Sequence, residues 1–217
     1  YNINARLYEE GTRVESVRSG FFKADSLAIS ACASDLLSGP DLETADDMKR
    51  SLEGTLAPGG EISVPVSGRG LAVRSFSLVL TAKDTSAALK GTVIRMAFDD
   101  RETVEVPAGN FFGTGYSFNS YRTRFTAVDP EGTLSSFWLM PFRDSCRITI
   151  FNSAAESIGI SAGLTLTPYN WDNSSMHFGA SWREYDNFET AGSENTGGTG
   201  LHEDVTIADL NGKGVYA

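Results

Sequence analysis

Two cysteines, two histidines and 18 basic residues against 28 acidic ones mark what this 217-residue sequence is short of, and each shortage excludes something. Cys32 and Cys146 stand too far apart in sequence for a CxxC redox motif. With only His177 and His202 beside them there is no HxxxH or CxxC spacing, so no zinc site and no metal or other cofactor is expected. Both thiols are expected to be buried and free, since an unpaired Cys packs as a small hydrophobe. The net charge is −10 and the 18 Lys and Arg residues are scattered, not clustered as a nucleic-acid backbone requires, so no nucleic-acid partner is expected. No apolar run approaches the ~18 residues that a membrane span requires, so no membrane partner is expected either. Tyr1 opens on an alternation of Tyr1, Ile3, Ala5 and Leu7 with no initiator Met and no signal-like stretch, so the first residue reads as a cut through a longer protein. The compartment stays open, with a secreted or periplasmic setting favoured.

What is present points to an all-β domain. Before residue 54 the pattern is mixed. Residues 1–18 read as a strand and its exit at Gly11. From Asp25, a plausible helix N-cap, Leu27, Ala31, Cys32, Leu36 and Leu37 follow near-helical spacing until Gly39-Pro40. A short second helix or a surface loop is expected within residues 41–53, near 41–50 if helical. After Gly54 the period switches to two: Ile62/Val64/Val66, Phe76/Leu78/Leu80, Ile94/Met96/Phe98, Val104/Val106, Cys146/Ile148/Ile150 and Ile158–Leu166. Turn signals at Pro58-Gly59-Gly60, Lys90-Gly91, Asp129–Gly132 and Asn152-Ser153 separate them. Eight to ten strands with little helix between them favour an antiparallel jelly-roll sandwich over a parallel βαβ sheet. The division expected is 1–53, the tail of a strand plus a helical connector, and 54–217, the jelly roll. Residues 191–200 read as a polar loop.

Few residues stand out for chemistry. In Pro107–Gly115 the glycines free the backbone, and adjacent Phe111 and Phe112 cannot both enter one sheet face, so one is expected at a cleft or subunit boundary. The segment could equally be a corner plugging the end of the sandwich. No helix pattern follows Gly115, so a phosphate loop is discounted. Trp138 and Met140 share one face and read as core, with Arg143 and Asp144 starting a tight turn. His177 reads as a hydrogen-bonded structural residue. Asp99, Asp100 and Glu102 read as a solvated hairpin, and Asn173-Ser174-Ser175 as an accidental glycosylation sequon.

Two phrases carry a resemblance: TVIRMAFDDRETVEVPAGNFFGTG (Thr92–Gly115) and FWLMPFRDSCRITIFN (Phe137–Asn152). With SMHFGASWREY (Ser175–Tyr185) and ADLNGKGVYA (Ala208–Ala217), they resemble the double-jelly-roll glycoside hydrolases of family 172 over most of residues 54–217. That resemblance implies a furanosyl glycan as partner, a trimer-based homo-oligomer and a retaining mechanism with two carboxylates roughly 5 Å apart. It also implies that both catalytic glutamates follow the segment ending here in GKGVYA, in stretches like GEGDE and GTGTEDY that do not occur here. The chain alone is therefore expected to be inactive, supplying scaffold, cleft wall and oligomer contacts, with no catalytic residue of its own. Asn110 stands where the family usually has Asp; an amide can orient a sugar hydroxyl but is no base. Matching Phe178 and Trp182 puts Gly179 at the family's His position, so His177 inherits no role. The substrate-facing residues implied are Asn110, Phe111, Phe112, Trp182 and Arg183, the last two because an indole face packs on a sugar and a guanidinium donates to its hydroxyls. A carbohydrate-binding module and a structural jelly roll forming trimers remain as alternatives.

Overall fold

Alternation fixes the strands wherever every second side chain can be buried between two layers. The computed structural model describes residues 8–14, 20–38 and 45–185, with isolated positions 209, 211 and 213–215. Two helices come first, α1 (Phe21–Ala24) and α2 (Ser26–Ser38). Strands β1 (Met48–Leu56), β2 (Glu61–Ser67) and β3 (Leu71–Thr81) precede α3 (Thr85–Gly91). The hairpin β4 (Thr92–Phe98) and β5 (Arg101–Pro107) leads into α4 (Ala108–Phe111). Short strands β6 (Tyr121–Arg122), β7 (Thr126–Val128), β8 (Leu134–Ser136) and β9 (Met140–Phe142) follow, then β10 (Ser145–Asn152), β11 (Ile158–Pro168) and β12 (Ala180–Ser181).

One sheet runs β1-β11-β3-β8-β7-β6, with β9 also on β3; the other runs β12-β5-β4-β10-β2. Successive long strands cross between the sheets: β1 lies in the first, β2 in the second, β3 in the first and β4 in the second. Orders β1-β11-β3-β8 and β2-β10-β4-β5 are those of a jelly roll, two interleaved Greek keys. Every pair is antiparallel except the two-residue β12–β5 contact. The inward faces meet in one core, with Ile94, Met96 and Phe98 of β4 and Ile148 and Ile150 of β10 facing Val73, Phe76 and Leu78 of β3 and Leu164 and Leu166 of β11. Each such side chain contributes roughly 1.5–3 kcal/mol on leaving water.

Several expectations need correction. The helix at 25–37 is present as α2, but no helix covers 48–50. There β1 already begins, as a polar strand along the sheet edge whose exposed Lys49, Arg50, Ser51 and Glu53 mask the alternation. The sheet thus starts ahead of Gly54. Two short helices appear that the pattern does not announce. Asp84 caps α3 by accepting from the Ala87 N–H (2.9 Å), and Ala88 and Leu89 plug one end of the sandwich. Within residues 107–115, Ala108–Phe111 form a single helical turn, α4, and the chain leaves it through left-handed Gly113 and Gly115. The Gly109 carbonyl accepts from the N–H groups of Thr114 and Gly115 (2.8 Å each), and a Cβ on Gly109 would sit 1.6 Å from the Gly115 oxygen. Cys146 is buried as expected, whereas Cys32 is exposed on α2. His202, residues 191–200 and most of 208–217 lie outside the described residues.

The open flank between β5–β12 and β6–β8 is closed by aromatic rings rather than backbone. Phe125 stacks on Trp138 (3.9 Å, 9°), Trp138 meets Phe178 (5.8 Å), Phe178 meets Phe111 (6.4 Å), and Phe111 meets Phe112 (5.1 Å) and Phe76 (6.1 Å). Offset and edge contacts of this kind add about 0.5–1.5 kcal/mol per pair beyond burial. Met140 is core, while Trp138 belongs to this half-buried row. Phe112 has no exposed surface, because α4 turns it inward against Phe76. The expectation that one of the two phenylalanines reaches a cleft or subunit boundary is therefore not met by Phe112, and Phe111 is half-buried within the same row. Phe112→Ala is expected to lower stability by about 3–5 kcal/mol and Phe111→Ala by less, measured by chemical denaturation. Equal, small losses would show that the row is not a packed wall.

Candidate functional site

The two ends of the sandwich carry different chemistry. At one end, β4 and β5 are joined by Asp99 and Asp100, both with positive φ (50° and 64°). This is the two-residue turn that a twisted hairpin favours, and Asp tolerates the left-handed region better than most residues. The turn aims Asp99 back over the start of β10. Its carboxylate accepts from the backbone N–H groups of Arg143 (2.8 Å), Asp144 (2.7 Å) and Ser145 (2.9 Å). His177 Nε2 lies 2.8 Å from Asp99 Oδ2; an ionised carboxylate only accepts, so Nε2 carries the proton. Burial alone would raise the Asp99 pKa, but the three backbone donors and His177 outweigh it and hold the carboxyl well below the usual aspartate range. The hairpin expected around Asp99 is present, and Asp100 and Glu102 are solvated as expected, whereas Asp99 is half-buried.

His177 in turn packs between Phe98 (6.2 Å, 14°) and Trp171 (5.0 Å, 37°). A bulge in β5 leaves Thr103 unpaired, and its hydroxyl donates to the Phe178 carbonyl (2.6 Å), fastening the chain on the other side of His177. Asp172 caps its own turn by accepting from the Ser174 N–H (2.8 Å) and the Ser174 hydroxyl (2.7 Å), so the sequon-like residues form a tight loop. Next to this strap opens a groove of ≈ 580 Å³ lined by Arg69, Gly70, Arg143, Asp144 and the run Tyr169–Trp171. Its three loops are laced by backbone bonds: Gly68 N–H to Asp144 O, Gly70 N–H to Arg143 O, and Tyr169 N–H to Gly70 O. Gly70 is left-handed (φ 66°), and a Cβ there would lie 2.9 Å from the Tyr169 oxygen. Asp144 is gripped by Arg69 Nε (3.1 Å) and Arg143 Nε (2.9 Å). Behind the groove, burial and the Asp99 charge push the Cys146 thiol up to about 12, so it offers no thiolate nucleophile.

The residues singled out in the sequence lie toward the other end. Asn110 is exposed on α4, and Trp182 is 42% exposed with Arg183 exposed beside it. Because β12 runs parallel to β5, with Ser181 opposite Glu105, the chain carries Trp182 toward the α4 end. The length of β5 puts that end roughly 20 Å from the groove. The fold thus directs Asn110, Trp182 and Arg183 to one end, keeps Phe111 half-buried and encloses Phe112. The groove residues had weaker signals: an Arg-Asp pair after MPF and an aromatic–amide–aromatic run after Pro168. Among the described residues no cluster of three His, Cys, Asp or Glu side chains could hold a metal.

Residues 46–163, more than half of the chain, match the family described as GH172 domain-like. The chain belongs to that family. Among curated proteins, no sequence matches it. Among solved structures, PliG, a periplasmic inhibitor of g-type lysozyme from Aeromonas hydrophila, overlaps 59% of this chain and 95% of its own at 10% identity, with a TM-score of 0.31. An overlap at that score carries no argument. The part that marks the GH172 domain-like family holds Asp99, Arg69, Arg143 and Asp144, whereas Trp171, His177, Trp182 and Arg183 lie beyond it.

Asp99→Asn keeps the shape and the left-handed tolerance but removes the charge, and is expected to lower stability by about 2–3 kcal/mol at neutral pH. The folded pKa is depressed, so the Asp99 contribution is complete above the ordinary value of 3.8 and is lost as pH falls from there through the folded value. Denaturation curves for both proteins should therefore converge on acidification below that value. A gap that stays constant with pH would mean the carboxylate charge is not what holds this end.

Proposed function

We propose that this domain is the non-catalytic jelly-roll half of a furanoside-acting glycoside hydrolase, providing scaffold, one wall of the cleft and subunit contacts. The retaining pair of carboxylates would come from elsewhere in the larger enzyme. The observation that carries the reading is the exposed indole of Trp182, next to Arg183, just past the strand that heads toward the α4 end, in a chain of the GH172 domain-like family. An indole face covers the apolar side of a furanose ring, while the guanidinium and amide donate to its hydroxyls.

A second feature favours subunit contacts. Leu27 (86%), Phe22 (65%) and Leu36 (51%) of the first two helices are largely exposed. Apolar side chains grouped on one segment are what an assembly interface buries. A trimer-based homo-oligomer is the form proposed, and light scattering of the chain reads it directly.

The test of the sugar-facing surface is titration with methyl α-D-arabinofuranoside and with difructose anhydride, following the three indole N–H resonances. Binding should shift Trp182 and be weakened about ten-fold by Trp182→Ala, with no hydrolysis of either compound. Hydrolysis abolished by replacing one of the chain's own Asp or Glu residues would overturn the non-catalytic role. Unmoved Trp182 in the presence of bound sugar would overturn the site.

A further inference from the structure

We propose that the groove at the opposite end is a separate ligand site for an anionic sugar, one bearing a carboxylate or a phosphate. The inference stands on side chains that the furanoside reading does not use. Arg69 and Arg143 each spend Nε on the same carboxylate, Asp144, and among the described residues no other side-chain bond holds either guanidinium. Among the described residues their Nη groups have no protein partner, and the side chains are 91% and 67% exposed. Asp144 therefore acts as a brace: one oxygen fixes each arginine and its charge is offset by both. Two guanidinium ends fixed on one support form a site for a planar or tetrahedral anion, which arginine binds through paired N–H groups.

The remaining walls fit a sugar ring better than a bare ion. Trp171 is half-buried and backed by His177, whose own position is fixed by Asp99, so the indole is oriented before any ligand arrives. Asn170 is exposed at the rim, where its amide carbonyl can accept from and its NH2 donate to a sugar hydroxyl. The groove volume, ≈ 580 Å³, suits one or two sugar units. Asp99 faces the donors behind the groove, with three backbone N–H groups and His177 around its oxygens, and Asp172, next to Trp171, accepts from the Ser174 N–H and from the Ser174 and Ser175 hydroxyls. An incoming anion therefore meets the arginines and not a free carboxylate, on a protein whose net charge is −10.

The experiment is an NMR titration of the intact chain with methyl β-D-glucuronide, glucose 6-phosphate, the neutral methyl β-D-glucoside and inorganic phosphate. The Trp171 indole resonance should move with the glucuronide, the sugar phosphate or both, and whichever arm responds identifies the anion. Affinity for the neutral glucoside, and for phosphate alone, should be at least about ten-fold weaker. Arg69→Gln, at a position too exposed to disturb folding, should cost about ten-fold in affinity, and Trp171→Ala a similar factor. Trp182→Ala should leave this binding intact, which separates the groove from the furanoside surface. Equal binding of the neutral glucoside, equal binding of free phosphate, no binding of either anionic sugar, or an unchanged Arg69→Gln variant would each overturn the proposal.

Discussion

Three successive backbone N–H groups, those of Arg143, Asp144 and Ser145, converge on the carboxylate of Asp99, and His177 approaches the same group from the other side. Each of those donors would be left unpaired at the mouth of the sandwich if the carboxylate were absent, and an unsatisfied donor there costs about 1–3 kcal/mol. The geometry propagates outward. The position of the β9–β10 turn fixes where Arg143 and Asp144 stand, and His177 fixes the indole of Trp171. The groove is thus assembled around a single charged group that the groove itself does not expose. That charge sits in a left-handed turn, so the hairpin conformation, the carboxylate and the groove are one linked constraint.

The other end is built on different terms. There Asn152 takes the corresponding role with a neutral amide, donating to the Leu56 and Glu156 carbonyls and accepting from the Ala154 N–H. Its own backbone pairs with Gly59 and Gly60, so the β1–β2 and β10–β11 turns are locked together. Helices α3 and α4 close the rest with apolar side chains, and Gly109 lets the chain fold back across α4 at a distance no Cβ permits. A neutral, packed end and a charged, grooved end follow from which residues terminate the strands, not from the strands themselves.

Reading the sequence recovers the layers and loses the ends, for a physical reason. Alternation in Ile94/Met96/Phe98 or Cys146/Ile148/Ile150 is imposed by a core on one side and water on the other, so it is written into each strand separately. What positions Asp99 is written in residues 44 to 78 places further along the chain, and no local pattern carries that information. The same holds for β1, whose partner β11 lies about a hundred residues away and whose own residues are mostly polar. Helices α3 and α4 are too short for a helical period to emerge, although Asp84 is a legible cap. Phe111 and Phe112, adjacent in sequence, cannot share one sheet face. The resolution is a helical turn that sends both toward the aromatic row instead of sending one outward.

Function in such a domain depends on the direction in which its acids are tuned. A glycosidase acid must hold its proton near the working pH, which requires a raised pKa and an oxygen left open toward the leaving group. Asp99 is tuned the opposite way: its donors stabilise the ionised form, and its oxygens already have partners. Asp144 carries a guanidinium on each oxygen. Asp99 and Asp144 are therefore both organised to hold neighbouring groups still. An end in which carboxylates serve as supports, arginines keep free N–H groups and an indole is oriented in advance is suited to recognition. The function proposed above uses such a division: recognition and bond breaking reside in different parts of one enzyme, and the general acid sits in surroundings that raise its pKa instead of lowering it.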